Sequence, residues 1–458
     1  MNQNGDNNYF NQDYNQRNVD RGMNMPYHQP QPPLPPPPQL PPRGGRNNKG
    51  SGNFLLGLLV GVIMTAMVAG CSYVGVRLYL IATGKSARMT ASADGDAADG
   101  LVSDETIRKL EALEEVIEEY YYKEDDISSE AMTEGLYSGL VNSLGDPYSV
   151  YYNEEEWQDL MESTEGIYYG IGAYMSLDQA TGLAKIAGVI PGTPAEESGL
   201  RENDIIYLVD DEQIQGLELS EIVSKVKGEE GTKVHLTIYR EGEDDYLEID
   251  VVRKKIESPT VNYEIYDNGI GYIQIREFDE VTTDQFTEAL AVVKGSKAKG
   301  LILDLRGNPG GSLPVVVDIA REILPKGLIV YTEDKYGERE EYSCDGRKEL
   351  KMPLVVLVNG NSASASEILA GAVKDYGIGT LIGTTTFGKG IVQRVLPLTD
   401  GTALKLTVSS YFTPKGNNIH GTGIEPDIEC ELDAEAYYEE GIDNQLERAQ
   451  EELFKMIK

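Results

Sequence analysis

The sequence predicts an α/β multidomain chain: an α/β core, an inserted β-rich domain, an N-terminal helical module and one transmembrane helix. Three observations predict it. Between 254 and 432, strand-like apolar runs alternate with segments of helical spacing, as in KGLILDLRGNPGG (299–311) and PLVVLVNGNSASASEILAGAVKDY (353–376). Between 166 and 253, short strand-like runs surround a single short helix. From Phe54 to Ala82 the chain is apolar for about 29 residues, interrupted only by small polar residues and Arg77.

The 458 residues allow two or three domains and carry a formal net charge of −36, unevenly placed. Residues 1–85 hold seven Lys/Arg and three Asp, so the remainder, with 33 basic and 73 acidic residues, carries −40. An acidic body of this kind argues against nucleic acid as a partner. Residues 1–50, rich in Asn, Gln and Pro with PQPPLPPPPQLPPR at 31–43, cannot form a core and read as a disordered tail.

The run at 53–83 is long enough to span a membrane as a helix, with Arg77 near its far end able to snorkel. Arg43, Arg46 and Lys49 precede it, so the charge rule puts the tail in the cytoplasm and the body outside a cell membrane crossed once. Val68-Ala69-Gly70-Cys71 resembles a bacterial lipoprotein cleavage box, which leaves lipidation of Cys71 as an alternative to an intact span. Gly57 and Gly61 form a G-x-x-x-G pair, a weak dimerisation signal. Cys71, Cys344 and Cys430 are the only cysteines, too few for a disulfide framework or a thiolate metal site. An exported body so poor in cysteine fits a bacterium with a single membrane.

Residues 84–102 are a small, polar linker, and 103–165 form the helical module. Ile107, Leu110, Leu113, Ile117 and Tyr121 make one helical stripe with Ser103 as N-cap. Met132, Leu136, Leu140 and Leu144 make another, ended by Gly145-Asp146-Pro147. In 166–253 the strands are Ala184–Ile190, Asp204–Val209, Lys233–Tyr239 and Tyr246–Val252, with a helix at Ser220–Lys227. The core, 254–432, contributes helices after Thr283 and Ser312. Asp304 and Arg306 read as a structural ion pair that shapes the glycine loop. Residues 433–458 read as a final acidic helix.

Chemistry concentrates at 353–395. A buried strand breaks at Asn359-Gly360-Asn361, and a serine-alanine cluster opens a helix. A serine at such a turn meets unpaired N–H groups and a partial positive charge, where an oxyanion would be held. It still needs a base. The three histidines offer little: His28 lies in the tail, His235 in a strand of the β-rich domain and His420 in a loop without an evident acidic orienter. A lysine serves as base only when burial lowers its pKa, and Lys389, set between glycines and apolar strands, is the candidate. GTTTFGKG (383–390) nearly matches a phosphate-binding loop, but Gly390 replaces the magnesium-holding hydroxyl and a strand follows instead of a helix. A small-residue helix start with Lys389 on a surface turn is the bland alternative. Spacing leaves Ser362, Ser364 and Ser366 equally open as nucleophile.

NSASASEI (361–368) and FGKGIVQ (387–393) resemble the carboxyl-terminal processing peptidases, a family of Ser/Lys serine proteases, over roughly residues 100–458. The resemblance implies Ser364 as nucleophile, Lys389 as base and Gln393 as its assistant. It also implies oxyanion donors from the backbone of Ala365 and of Gly310 or Gly311. A regular strand would hold Lys389 and Gln393 about 13 Å apart, so contact between them requires a bend at Gly390. GVIPGTPAEESGLRENDIIYLVDD (188–211) resembles the PDZ domains of bacterial proteases, with Tyr169-Gly170-Ile171-Gly172 as the matching carboxylate loop. Substrates would be proteins with apolar C-terminal tails, and the family's helical module implies a homodimer. No metal or cofactor is called for, as neither H-E-x-x-H nor C-x-x-C occurs. Two rivals share the fold: a catalytically silent PDZ scaffold, and a crotonase-like acyl enzyme, for whose coenzyme A no basic cluster is present.

Overall fold

The computed structural model describes residues 101–123, 128–178 and 181–457. The tail of 1–50, the span of 53–83 with Cys71, and almost all of the 84–102 linker lie outside the described residues. Among those described, no helix is long and apolar enough to cross a membrane. The chain divides into two units between Met132 and Thr133.

On the N-terminal side, Ser103 caps helix α1 (Asp104–Tyr120): its hydroxyl accepts the Thr106 N–H at 3.1 Å. Asp104 and Glu105 set negative charge against the helix's positive end. The expected stripe exists, but Ile107, Leu110, Leu113 and Ile117 are all exposed. Helix α2 (Ser129–Asn142) runs across the division.

Beyond it come two elements that the spacing of the helical module does not predict. Strand β1 (Val150–Tyr152) is too short to show a period. Helix α3 (Glu154–Glu165) is mostly polar, but Asn153 and Glu156 cap it reciprocally, and Gly166 ends it in the left-handed region at φ 68°.

The β-rich domain matches its expected elements to within a residue or two. The strands are β2 (Ile167–Gly170), β3 (Ala173–Leu177), β4 (Ala184–Val189), β5 (Ile205–Val209), β6 (Glu212–Gln213), β7 (Lys233–Tyr239) and β8 (Leu247–Val252). Helix α4 (Pro194–Glu197) follows β4, and α5 (Leu219–Val226) precedes β7. The sheet order is β3-β4-β5-β7-β8, with β6 on β5. Ile222 and Val226, one turn apart on α5, are buried with Ile186, Ile206, Leu236 and Ile238. The chain leaves through β9 (Lys254–Glu257), which pairs antiparallel with β2 where the chain entered.

The core begins at β10 (Val261–Ile265) and β11 (Ile270–Ile275), followed by α6 (Thr282–Gly295), β12 (Gly300–Asp304) and α7 (Leu313–Arg321). Then come β13 (Gly327–Asp334), β14 (Arg339–Cys344), β15 (Leu354–Val358), α8 (Ala365–Tyr376), β16 (Thr380–Gly383), β17 (Ile391–Pro397), β18 (Ala403–Phe412) and β19 (Ile428–Glu429). One sheet runs β10-β11-β12-β15-β16-β19, parallel from β11 onward. Every residue of β12 and β15 is buried, because helices cover both faces. Successive side chains part: Leu301, Leu303, Val356 and Val358 pack with α6, α7 and α8, whereas Ile302, Val355 and Leu357 pack with Ala449 and Leu453.

Those last two residues belong to α9 (Asn444–Met456). The expected single helix after 433 is broken: a π-helical turn at Ala436–Glu440 ends at Gly441 with φ 71°. Asp443 then caps α9 by accepting the Leu446 N–H. The second sheet is built on β18, with β17 along one edge and β1 and β13 sharing the other. Strand β1 therefore belongs to the core sheet and not to the helical module.

Candidate active site

Three loops at the ends of the parallel strands meet in a cleft of about 1380 Å³, whose lining includes Ser364, Ala365, Gly310, Gly311, Lys389 and Gln393. The loop after β15 holds Ser364 at φ 52° and ψ −111°, a conformation that costs a non-glycine residue about 1–3 kcal/mol. Its neighbours fix it there. Ser362 and Ser366 are buried, and their hydroxyls donate to the carbonyls of Leu305 (2.8 Å) and Asn308 (3.0 Å). The Ser364 carbonyl accepts the Tyr411 hydroxyl at 3.0 Å. Of the three serines that spacing leaves open, Ser364 alone lines the cleft, and among the described residues its hydroxyl donates to no buried carbonyl.

The glycine loop after β12 lies against this turn. A Cβ on Gly310 would stand 2.8 Å from Ser364 Cβ and 3.0 Å from Ala365 N, and one on Gly311 would meet Phe278 O at 2.5 Å. The Gly310 N–H already donates to Asn308 Oδ1 at 2.8 Å, so it is not a free oxyanion donor. The N–H groups of Ala365 and Gly311 meet no acceptor among the described residues. Arg306 turns away from the cleft. Its guanidinium pairs with Asp304 (2.6 Å) and with Asp443 (2.8 Å) at the start of α9, a structural role as expected.

The Lys389 ammonium lies 4.7 Å above the Tyr148 ring. Burial, seconded by the nearby Lys405 ammonium, holds its pKa below the ordinary lysine value, while Asp146 and Glu367 push the other way. Among the described residues no hydrogen bond joins it to Ser364 Oγ. Nor does Gln393 reach it: the amide donates to Thr407 Oγ1 at 3.2 Å, beside a bulge between Val392 and Gln393. The irregularity lies at the bulge, not at Gly390, whose missing side chain instead admits the backbone of His420. His420 is exposed and does not line the cleft.

Sequence reasoning missed Glu367. Fully buried, its carboxylate accepts the N–H groups of Ser364 (2.9 Å), Gly388 (2.7 Å) and Lys389 (2.9 Å) and the Thr386 hydroxyl (2.6 Å). The S-x-x-E spacing of a capping box was its signal. Asp146, read only as part of a helix end, and Tyr148 were also missed. Ser149 Oγ and Tyr148 N–H donate to Asp146; burial opposes the charge, yet these bonds and one from Thr407 hold the carboxyl below its usual range.

The second expected site lies in the β-rich domain and not in the cleft. Gly172 has φ 82°, and a Cβ there would come within 2.3 Å of Thr193. The carbonyls of Ile171 and Gly172 are taken up by Ala195 N–H and by the Thr193 hydroxyl and Ile190 N–H. The N–H groups of Ile171 and Gly172 meet no acceptor among the described residues. Tyr169 is exposed, and Gly170 ends β2.

Fold and cleft together place the chain among the serine peptidases that carry a PDZ domain. Comparison with known proteins agrees: residues 269–430 match peptidase family S41, 185–240 match the PDZ domain, and 65–156 match the activating protease CtpB N-terminal domain. The carboxy-terminal processing protease CtpA of Bacillus subtilis (strain 168) is 36% identical over 373 residues, 81% of this chain and 76% of that one. CtpB of the same organism is 34% identical over 360 residues, 78% and 73% of the two chains. The carboxy-terminal-processing protease of Bartonella bacilliformis is 38% identical over 325 residues, 70% and 73%. The chain belongs to the carboxy-terminal processing proteases of peptidase family S41.

Proposed function

We propose that the chain is a membrane-anchored endopeptidase that binds the C-terminal tail of protein substrates on its PDZ domain and cuts them with Ser364 and Lys389. The observation that carries the reading is the commitment of hydroxyls: Ser362 and Ser366 spend theirs on buried carbonyls, and Ser364 faces the cleft that Lys389 also lines. A lysine whose proton burial disfavours can accept the Ser364 proton once its side chain swings from Tyr148 toward Oγ.

Attack by Oγ on the scissile carbonyl puts charge on its oxygen, which the N–H groups of Ala365 and Gly311 stabilise. Lys389 then hands its proton to the leaving amine and draws one from the water that frees the acyl group. Gln393 acts at a distance, ordering the bulged strand through Thr407. The free N–H groups of Ile171 and Gly172 suit a terminal carboxylate. The basic residues before 53–83 support a cytoplasmic tail and an outward body, and the exposed apolar stripe of α1 suits a homodimer contact. A fluorophosphonate probe tests the catalytic reading: it should label the wild type and fail on Ser364→Ala and Lys389→Ala. Labelling of Ser364→Ala at the wild-type rate would refute it.

A further inference from the structure

Lys389 shares its cleft with a second lysine. Lys405, on β18, lines the same cavity, with its ammonium 2.5 Å from the Tyr152 oxygen and 5.1 Å from the centre of that ring. Strand β18 carries Lys405, and its two neighbours frame both lysines. Tyr148 and Tyr152, which lie beneath them, flank or end β1, which runs along β18 with Val150 opposite Lys405. Strand β17, entered directly from Lys389 and Gly390, runs along the other edge with Val395 opposite Lys405.

In a chain with 76 acidic residues against 40 basic ones, neither lysine has a carboxylate within ion-pair distance among the described residues. The charged and titratable groups that face Lys389 are Lys405 from β18, Asp146 and Tyr148 from the segment before β1, and Glu367 from α8. The two acids keep their charge and pull the other way, but neither reaches the ammonium as an ion pair. Asp146 is held by Ser149 and the Tyr148 N–H, and Glu367 by four donors.

We propose that Lys405 is a positioning residue for the reaction: a second ammonium lining the cleft, with no carboxylate at ion-pair distance among the described residues, that favours the neutral amine of Lys389. Placing two like charges in one half-buried space disfavours the second proton, against the opposing pull of Asp146 and Glu367. Tyr152 serves to aim Lys405, holding its nitrogen at the cleft wall. A purely structural Lys405, bracing β1 through Tyr152, would leave the pH dependence of catalysis in place.

The inference rests on the Ser/Lys reading, and the experiment separates the two. Peptide turnover is measured from pH 6 to 11 in wild type, Lys405→Met, Lys405→Arg and Lys389→Ala. In Lys405→Met the ratio of the rate at pH 7 to that on the alkaline plateau should fall several-fold. Lys405→Arg should keep the wild-type ratio, because guanidinium carries the same charge. A wild-type ratio in Lys405→Met, with Lys389→Ala inactive, overturns this inference alone; turnover within tenfold in Lys389→Ala overturns the Ser/Lys reading itself. A second readout is independent of turnover. In a Ser364→Ala background, an amine-selective acylating reagent at pH 7, read by peptide mass spectrometry, should modify Lys389 several-fold more slowly after Lys405→Met. Equal modification overturns the inference.

Discussion

Ser364 and Lys389 are joined through a single atom: their backbone N–H groups both donate to Glu367 Oε2, each at 2.9 Å. The helix start and the lysine loop come from different strands, and this oxygen fixes the spacing of their backbones. Glu367→Gln keeps the shape but turns one acceptor into a donor facing N–H groups. It should lower stability by about 2–4 kcal/mol, since charged buried hydrogen bonds are lost. It should also cut kcat at least tenfold with little change in KM. A variant with wild-type melting temperature and kcat would mean that the shared oxygen is incidental.

The three serines should separate cleanly. Ser364→Ala should abolish turnover and leave the melting temperature near that of wild type. Ser362→Ala and Ser366→Ala each strip a buried carbonyl of its donor and should cost about 1–3 kcal/mol while the folded fraction still turns over. Thermal denaturation beside active-site titration reads both effects.

The rate should climb with pH through a single ionisation below the ordinary lysine value of about 10.4, because burial and Lys405 lower the pKa of Lys389. Lys389→Ala and Lys389→Arg should both be inactive, and His420→Ala should keep its rate. Linkage supplies a second readout. A depressed lysine binds its proton less readily when folded than unfolded, so it weakens the fold below its folded pKa. That loss is recovered as pH rises to the unfolded value. Lys389→Met should therefore melt higher than wild type at pH 7, and the gap should close at alkaline pH. A gap that widens with pH would contradict a depressed value.

Peptides with a free, apolar C-terminus should be cut faster than their amidated copies, because Ile171 and Gly172 present N–H groups without acceptors. Gly172→Ala, which would drive a Cβ into Thr193, should erase the difference. Equal rates for acid and amide in the wild type would leave the loop without a role in reading the terminus.

External protease added to intact cells should remove the body and spare an epitope within residues 1–50. Protection of the body would reverse the topology drawn from Arg43, Arg46 and Lys49.

Where periodicity was strong the sequence was legible. Strands β12 and β15 announced themselves as unbroken apolar runs, and α5, α7 and α8 by their spacing. Strand β1 and helix α3 were not legible: three residues show no period, and α3 is polar apart from Trp157, Leu160 and Met161. At the site, the motif pair led to Ser364 and Lys389. The commitment of the Gly310 N–H to Asn308 and of Gln393 to Thr407 depends on side-chain direction, which spacing does not carry. Glu367 was readable in principle, being three residues past Ser364. Lys405 was not, because only the pairing of β18 brings it to the cleft.

The tie from Arg306 to Asp443 makes α9 part of the foundation of the cleft. Asp443, Gln445, Ala449 and Leu453 hold the base of the glycine loop and cover one face of the central sheet. A variant truncated before Asp443 would leave that face bare and Arg306 with Asp304 as its one remaining acidic partner among the described residues. Damage at α9, far along the chain from Ser364, should therefore be felt at the glycine loop beside it.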